Sequence, residues 1–435
     1  MSHGRIVIVG AGAAGLTAAL RAAESGARVT LLNAHPKVGL KILMSGGTRC
    51  NVTHREVSER DFNAGSRPFV ARILRAFTAE QSRAWMESLG VALKLEETGK
   101  YFPVTDDAQT VLDALLQAGS RAGVVLENGA RVVRLEWEGS AFRAGIQVVR
   151  ESAAFGAGVV HRHGQERWPL PKQEPDRWIE ADAVILATGG LSFPRTGSDG
   201  TGYALVTALG HTLEPPVPAL TPLTSSDTFC RELRGLTLEA ELTLRVAGKK
   251  TAAARGSLLV THFGYSGPAA LDLSRHWHRA GEGEERGVTA NFVPGETRER
   301  LDREWIEAGE RETRRLARRV LARRLPERFA ERLCAEAGVG SRQAMSQLDR
   351  TRRRALVESV VARDLEVSGT LGYEKAEVTA GGVRLAEVNP STLESRIVPG
   401  LYLCGEILDV DGRLGGFNFQ WAWSSGTVAG RSAGR

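Results

Sequence analysis

The chain has 435 residues, 42% hydrophobic and 25% charged, which is the composition of an ordinary globular protein long enough for two or three domains. No apolar run reaches the roughly 18–20 residues that span a bilayer, and the apolar stretch from Ile6 is broken by glycines with no basic region or cleavage site beside it. Neither a membrane protein nor a secretory leader is expected, and a cytoplasmic location is. The net charge is only +6, and Cys50, Cys230, Cys334 and Cys404 form no Cys-x-x-Cys pair, so a zinc site, a dithiol redox centre and any metal are not expected.

Residues 5–32 read as a βαβ unit. Arg5–Val9 is an apolar strand, Ala13–Ser25 an Ala/Leu-rich helix, and Ala27–Leu32 a second strand after the break at Gly26. This order predicts parallel strands in a buried sheet. Next, Gly46 and Gly47, flanked by Ser45, Thr48, Arg49 and Asn51, predict a donor-rich loop. The patterning then predicts helices over Arg67–Leu89 and Ala108–Ala122, and strands over Val124–Glu136, Ala144–Arg150 and Trp178–Leu186. The polar stretch Gly156–Asp176 reads as an exposed loop.

Glu214–Pro222 carries four prolines and reads as a crossover out of the first domain. Leu236–Val246 alternates apolar and polar residues as a strand does, with a turn at Gly248. Residues 296–365 are helical, with Arg and Glu interleaved as on a solvated helix surface, so no nucleic-acid partner is expected. Beyond Glu366 the chain returns to strand-and-glycine character until Gly426. The organisation predicted is a first domain over 1–214, a β-rich insertion over 215–295, a helical domain over 296–365, and completion of the first domain by 366–435.

Four motifs carry chemistry. In Gly10-Ala11-Gly12-Ala13-Ala14-Gly15 the glycines follow a strand and open a helix, the context a dinucleotide fingerprint demands. Gly10 allows the tight turn, Gly12 lets backbone amides approach a pyrophosphate, and Gly15 lets the helix pack near the strand. The acidic ribose partner expected about 20 residues on is replaced by Asn33, whose amide can still bind a hydroxyl. The donor-rich loop, which also holds Lys41 and Cys50, suits a phosphate or a flavin edge, and equally a tight structural turn. The strand Ala183–Leu186 running into Ala187, Thr188, Gly189 and Gly190 is similar to one that closes the first domain of glutathione-reductase-type FAD enzymes beside the cofactor. Gly400–Glu406 resembles the second such strand, whose turn, here Gly405-Glu406, places a carboxylate against ribityl hydroxyls. Asp409, Gly415, Gly416, Asn418 and Gln420 follow, ahead of a helix from about Trp421 whose N-terminus suits the flavin.

Together with Leu258–Ser274, Ala376–Val383 and Glu387–Arg396, these motifs resemble the BaiN/YhiN-like flavoproteins, also described as NAD(P)/FAD-dependent oxidoreductases or an aminoacetone oxidase family, over nearly the whole chain. Thr48 stands where that family commonly has a third glycine. The resemblance implies an α/β, glutathione-reductase-like FAD-binding Rossmann domain with an inserted β-rich domain and a small helical domain. It also adds Val132 to the cofactor-side candidates. The function implied is FAD-dependent oxidation or reduction of a small organic substrate by hydride transfer, amine oxidase-like or enone reductase-like. An RNA-modifying or non-catalytic flavin-binding protein is the alternative. No second GxGxxG appears, so NAD(P)H is expected only as a transient reductant. His262 and Tyr265 are the catalytic candidates, and oligomeric state is not legible.

Overall fold

In the computed structural model, which describes residues 4–151, 168–281 and 283–435, tertiary contacts divide the chain into two compact units. One runs to Pro218 and resumes at Glu377–Arg435; the other is Ala219–Ala376.

The first unit is built on a five-stranded parallel sheet in the order Leu401–Leu403, Ala183–Leu186, Arg5–Val9, Arg28–Asn33, Val125–Asn128. Ile6, Val7, Ile8 and Val9 are all buried, as a strand flanked on both sides must be. Helix Ala13–Glu24 follows the first strand, and the C-terminal helix Phe417–Ala433 packs along it. Glycines four apart make that packing possible. A methyl group at Gly426 would lie 2.5 Å from the Ala14 carbonyl oxygen, and one at Gly430 would lie 2.3 Å from that of Ala18.

Several local expectations are revised. The helix expected over Arg67–Leu89 is two helices, Arg67–Ala76 and Ala79–Ser88, because Thr78 and Gln81 form a capping box that starts the second. Trp178–Leu186 is likewise two strands. Arg177–Ala181 belongs to an antiparallel sheet with Phe142–Val148 and Ala130–Trp137, and Ala183–Leu186 belongs to the parallel sheet. The proline-rich crossover contains a strand, Leu213–Ala219, paired with Val378–Val383. A two-stranded ladder has only edge strands, where proline is tolerated. Of the loop expected over 156–176, residues up to 167 lie outside the described residues.

The second unit has a seven-stranded antiparallel sheet whose long strands are Thr237–Val246 and Lys249–Thr261, with helix Pro268–Arg279 packed on it. Helices Arg298–Arg311, Glu327–Glu336 and Arg350–Val361 follow. Sheet and helices share one hydrophobic core, in which Leu242 and Leu258 from strands join Phe329 and Leu356 from helices. Around them arginines pair with carboxylates of helix Arg298–Arg311, as in the exposed pair Arg324–Glu304 and the more buried pair Arg353–Asp302.

Candidate functional site

The three fingerprint glycines are required for three different reasons. Gly10 has φ +103°, and a methyl group there would lie 2.4 Å from the Ala187 carbonyl oxygen. A methyl group at Gly15 would lie 1.8 Å from the Gly10 oxygen, so this helix turn touches the strand end directly. A methyl group at Gly12 would meet no atom within 4 Å. Gly12 is the N-cap of helix Ala13–Glu24, which has no side-chain cap and no acidic residue in its first turn. The backbone N–H groups of Ala13 and Ala14 therefore begin a helix whose positive end has no side-chain cap and no carboxylate in its first turn, which fits a pyrophosphate.

Asn33 ends its strand beside Asn128, buried. Its amide nitrogen donates to the carbonyl oxygens of His35 (2.6 Å) and Lys37 (3.1 Å) and lies 3.0 Å from Asn128 Oδ1. Two carbonyl acceptors demand an N–H donor, so Asn33 shapes the turn after the strand, and its own Oδ1 is the end left to accept from a hydroxyl. Val132 is buried within Ala130–Trp137.

The other motifs converge on one polar cluster. Lys41 Nζ donates to Glu406 Oε2 (2.9 Å) and Ser192 Oγ (2.7 Å), while Glu406 Oε1 accepts from Ser192 Oγ (2.8 Å) and the Thr379 amide (3.0 Å). Thr379 Oγ1 in turn accepts from the Leu191 and Ser192 amides. Gly190 is hemmed in by this cluster, since a methyl group there would lie 2.4 Å from Thr379 Oγ1 and 2.8 Å from Glu406 Oε1. A methyl group at Gly189, whose φ is +74°, would lie 2.6 Å from Ser198 Oγ, and Thr188 packs against Gly202. Gly405 brings the Glu406 turn against Ala14, and its backbone is fastened at both ends to the C-terminal helix by Ser425 Oγ and Trp421 Nε1. Ser192 and Thr379 were not among the expected site residues. Their signal was weak, a lone hydroxyl one residue removed from a glycine pair in each case.

The donor-rich loop is partly helical. Leu40–Met44 form a helical turn, Ser45 leaves it, and Gly46, Gly47, Thr48 and Cys50 all have positive φ. Ser45 Oγ donates to the Ile42 carbonyl. Arg49 is held by Glu96 (2.7 Å) and stacks 4.0 Å over Phe102, so its guanidinium is already engaged by protein. Cys50 is buried, and burial pushes its thiol up to about 12, which leaves it protonated and non-nucleophilic. Cys230, Cys334 and Cys404 are likewise buried free thiols.

Downstream, two expected cofactor contacts have other partners. Gln420 is wholly buried, accepting from Thr53 Oγ1 and donating to the Phe77 carbonyl and Ser424. Asn418 clamps both backbone groups of Gly412 at 2.8 Å. Asp409 accepts from the Gly65 amide. Gly415 and Gly416, at φ +133° and +91°, lead directly into helix Phe417–Ala433, which starts four residues earlier than expected.

The catalytic candidates lie in the second unit. His262 is exposed on the turn between strands Lys249–Thr261 and Gly264–Ser266. Tyr265 has no exposed surface. It pairs with Val260 in the sheet, faces Cys230, and burial raises its phenol far above the usual range. The expectation that Tyr265 touches substrate is withdrawn, because its hydroxyl is sealed in the core. Among the described residues no side-chain cluster suits a metal, and no helix is long and apolar enough to cross a membrane.

The sequence profile of the HI0933-like protein Rossmann domain matches residues 4–432. The chain is 32% identical to the 3-dehydro-bile acid delta(4,6)-reductase of Clostridium scindens, over 99% of this chain and 98% of that one. It is 31% identical to the ribosomal RNA dihydrouridine synthase of Haemophilus influenzae, again over 99% and 98%. The enzyme of that name from Escherichia coli is 32% identical over 96% and 95%. The chain belongs to the HI0933-like flavoprotein family and is an FAD-dependent oxidoreductase.

Proposed function

We propose that the enzyme reduces a carbon–carbon double bond conjugated to a carbonyl group. The observation that carries this reading is the shared chemistry of its full-length relatives. A 3-dehydro-bile acid delta(4,6)-reductase and a dihydrouridine synthase are both named for saturating such a bond. Bound FAD supplies the hydride for this chemistry.

The chain's own residues divide the remaining work. Ala13 and Ala14 offer their amides to the pyrophosphate beside the open face of Gly12, and the Asn33 oxygen accepts from the adenosine ribose. Glu406, held by Lys41 and Ser192, faces the ribityl hydroxyls, and Gly190 lets the strand end pack tightly against it. Saturating a polarised double bond also needs a proton at the carbon next to the carbonyl. His262 is the proposed donor, since it is the exposed acid–base group of the segment singled out by sequence. Replacing it with Ala lowers turnover with FAD content unchanged.

A second reading places the same reaction on a uracil within RNA. It is favoured by two full-length relatives that are named ribosomal RNA dihydrouridine synthases. NAD(P)H is the proposed reductant in either case.

The test is anaerobic. The flavin is bleached with NADH or NADPH, then mixed with a 3-keto-Δ4 steroid or with unmodified ribosomal RNA, and reoxidation is followed. Reoxidation by either acceptor supports the reaction class and tells the two substrates apart. Bleaching by primary amines, with neither acceptor reoxidising the flavin, sinks it in favour of an amine oxidase.

A further inference from the structure

We infer that the Gly415–Gly416 turn receives the pyrimidine edge of the flavin ring, and that Lys100 supplies the positive charge that stabilises the ring once it is reduced. Three independent features meet at this turn. The 17-residue helix Phe417–Ala433 begins at Gly416 with no side-chain cap and no acidic residue in its first turn, so its positive end is directed at the turn. Asn51 is only 8% exposed, and its Oδ1 is buried without a hydrogen-bond partner. A methyl group at Gly416 would lie 2.7 Å from that oxygen and 3.0 Å from the Thr53 carbonyl oxygen, so the orphan acceptor lies directly against the turn.

The third feature is Lys100, on the strand Lys100–Pro103 that pairs with Thr53–His54. Its Cε lies 3.7 Å from the position of a methyl group at Gly415. No ion pair engages its ammonium among the described residues. It was not among the residues singled out by sequence, because a single lysine before an aromatic pair carries no motif.

The chemistry of the flavin edge matches these groups one for one. Its N3–H is the donor that Asn51 Oδ1 lacks, and a buried carbonyl oxygen left without a donor is costly. Its carbonyl oxygens suit helix N–H groups. Reduction by two electrons with uptake of one proton leaves one negative charge on the ring, spread over N1 and the C2 carbonyl. A fixed ammonium and a helix dipole beside that edge stabilise the reduced form over the oxidised one. Lys100 is thus a residue that tunes the cofactor, whatever the substrate is.

Lys100→Met keeps the aliphatic stem and removes the charge. In an anaerobic dithionite titration of the holoenzyme at pH 7, the reduced ring is expected to be held about tenfold less tightly relative to the oxidised one, a midpoint ~30 mV lower. Lys100→Arg restores the midpoint, and FAD content stays at one per chain in both variants. Sulfite gives a second reading without electron transfer. It adds to N5 and leaves the same negative charge on the ring, so its affinity falls about tenfold in Lys100→Met. An unchanged midpoint or unchanged sulfite affinity at full FAD content overturns the inference. The parent enzyme provides a test that does not depend on the variant folding. One proton per two electrons makes its midpoint fall by ~30 mV per pH unit near neutrality. A slope of ~59 mV, that of a neutral reduced ring, overturns it. None of these readings involves an organic substrate, so their failure is distinct from failure of the proposed reaction.

Discussion

The cofactor side of the first unit and the helical face of the second reach stability by opposite routes. In the first, backbone approaches backbone so closely that only glycine fits, as at Gly15 against Gly10, Gly426 against Ala14 and Gly430 against Ala18. In the second, side chains do the joining. Leu242 and Leu258 of the sheet meet Phe329 and Leu356 of the helices, and arginines bridge to carboxylates outside. A close-approach site tolerates one residue type at each position, whereas a packed core accepts many apolar combinations of similar volume. The first unit therefore reads mainly as motifs, and the helical face of the second as pattern.

The largest expected effect tests the difference among the glycines. Gly15→Ala puts a methyl group into the Gly10 carbonyl and is expected to cost more than ~4 kcal/mol, with loss of both fold and FAD. Gly12→Ala, one turn away, meets nothing, and so the apoprotein is expected to melt like the parent while FAD binding falls by at least tenfold. Apo melting curves and flavin content separate the two. Equal melting losses in both variants would break the distinction between a packing glycine and a ligand glycine.

In the second unit the corresponding test is Arg363→Met. Arg363 stacks 3.9 Å over Phe229 and pairs with Asp227 (3.0 Å) and Glu336, with only 12% of its side chain exposed. Removing it strands the buried Asp227 carboxylate, at an expected cost of ~3 kcal/mol, with FAD content of the folded fraction unchanged. Denaturant unfolding of the holoenzyme with flavin counted measures both.

How much was legible follows the same division. The parallel βαβ start, the GxGxxG turn and the Glu406 turn were readable because each requires particular residues at fixed spacing. The split at Thr78 was also written in the sequence, as Thr-x-x-Gln, but lay inside a helical pattern that masked it. Tyr265 was misplaced because a short strand of three residues gives too little alternation to tell its inner face from its outer one.

Asn33 was placed at the strand end, but the sign of its effect was not readable. From the fingerprint alone, a carboxylate there is expected to be tolerated or to tighten FAD binding. The His35 and Lys37 carbonyls reverse that expectation, since Asn33→Asp sets an anion against two acceptors. A stability loss of about 1–3 kcal/mol is expected, with weaker FAD retention. Tighter FAD binding in this variant would restore the ribose-only role.

Acidification gives a smaller effect, centred on the second unit. Burial, with Arg275 nearby, pulls His276 down to about 4 from an ordinary value of 6.5. The folded state thus favours the neutral ring, and the unfolded chain takes up a proton first as the pH falls. The stabilisation is complete above about pH 6.5 and is lost progressively toward pH 4, on the order of 1 kcal/mol after allowance for partial exposure. His276→Gln is expected to flatten that part of the stability–pH curve. A curve of unchanged slope assigns the acid sensitivity elsewhere, with the buried His211 beside Glu387, also pulled down by burial, the next group to replace.

The smallest expected effect has the opposite sign and returns to the first unit. Thr48 is exposed, β-branched and held at φ +70°, directly after Gly46 and Gly47 at φ +57° and +68°. A left-handed backbone costs a residue with a Cβ roughly 1–2 kcal/mol, and branching adds crowding. Glycine removes that strain but gives the unfolded chain more freedom, which offsets about 0.5–1 kcal/mol. The balance favours Thr48→Gly by about 0.5 kcal/mol, seen as a small rise in Tm. Thr48→Ala separates strain from the lost hydroxyl, whose hydrogen bond goes only to the neighbouring Gly47 carbonyl at 2.6 Å. Alanine keeps the strained φ and is expected to gain nothing. If alanine and glycine stabilise equally, branching at Cβ is the source of the cost and the left-handed backbone is not. If both destabilise, the hydroxyl holds this loop more firmly than its backbone strains it.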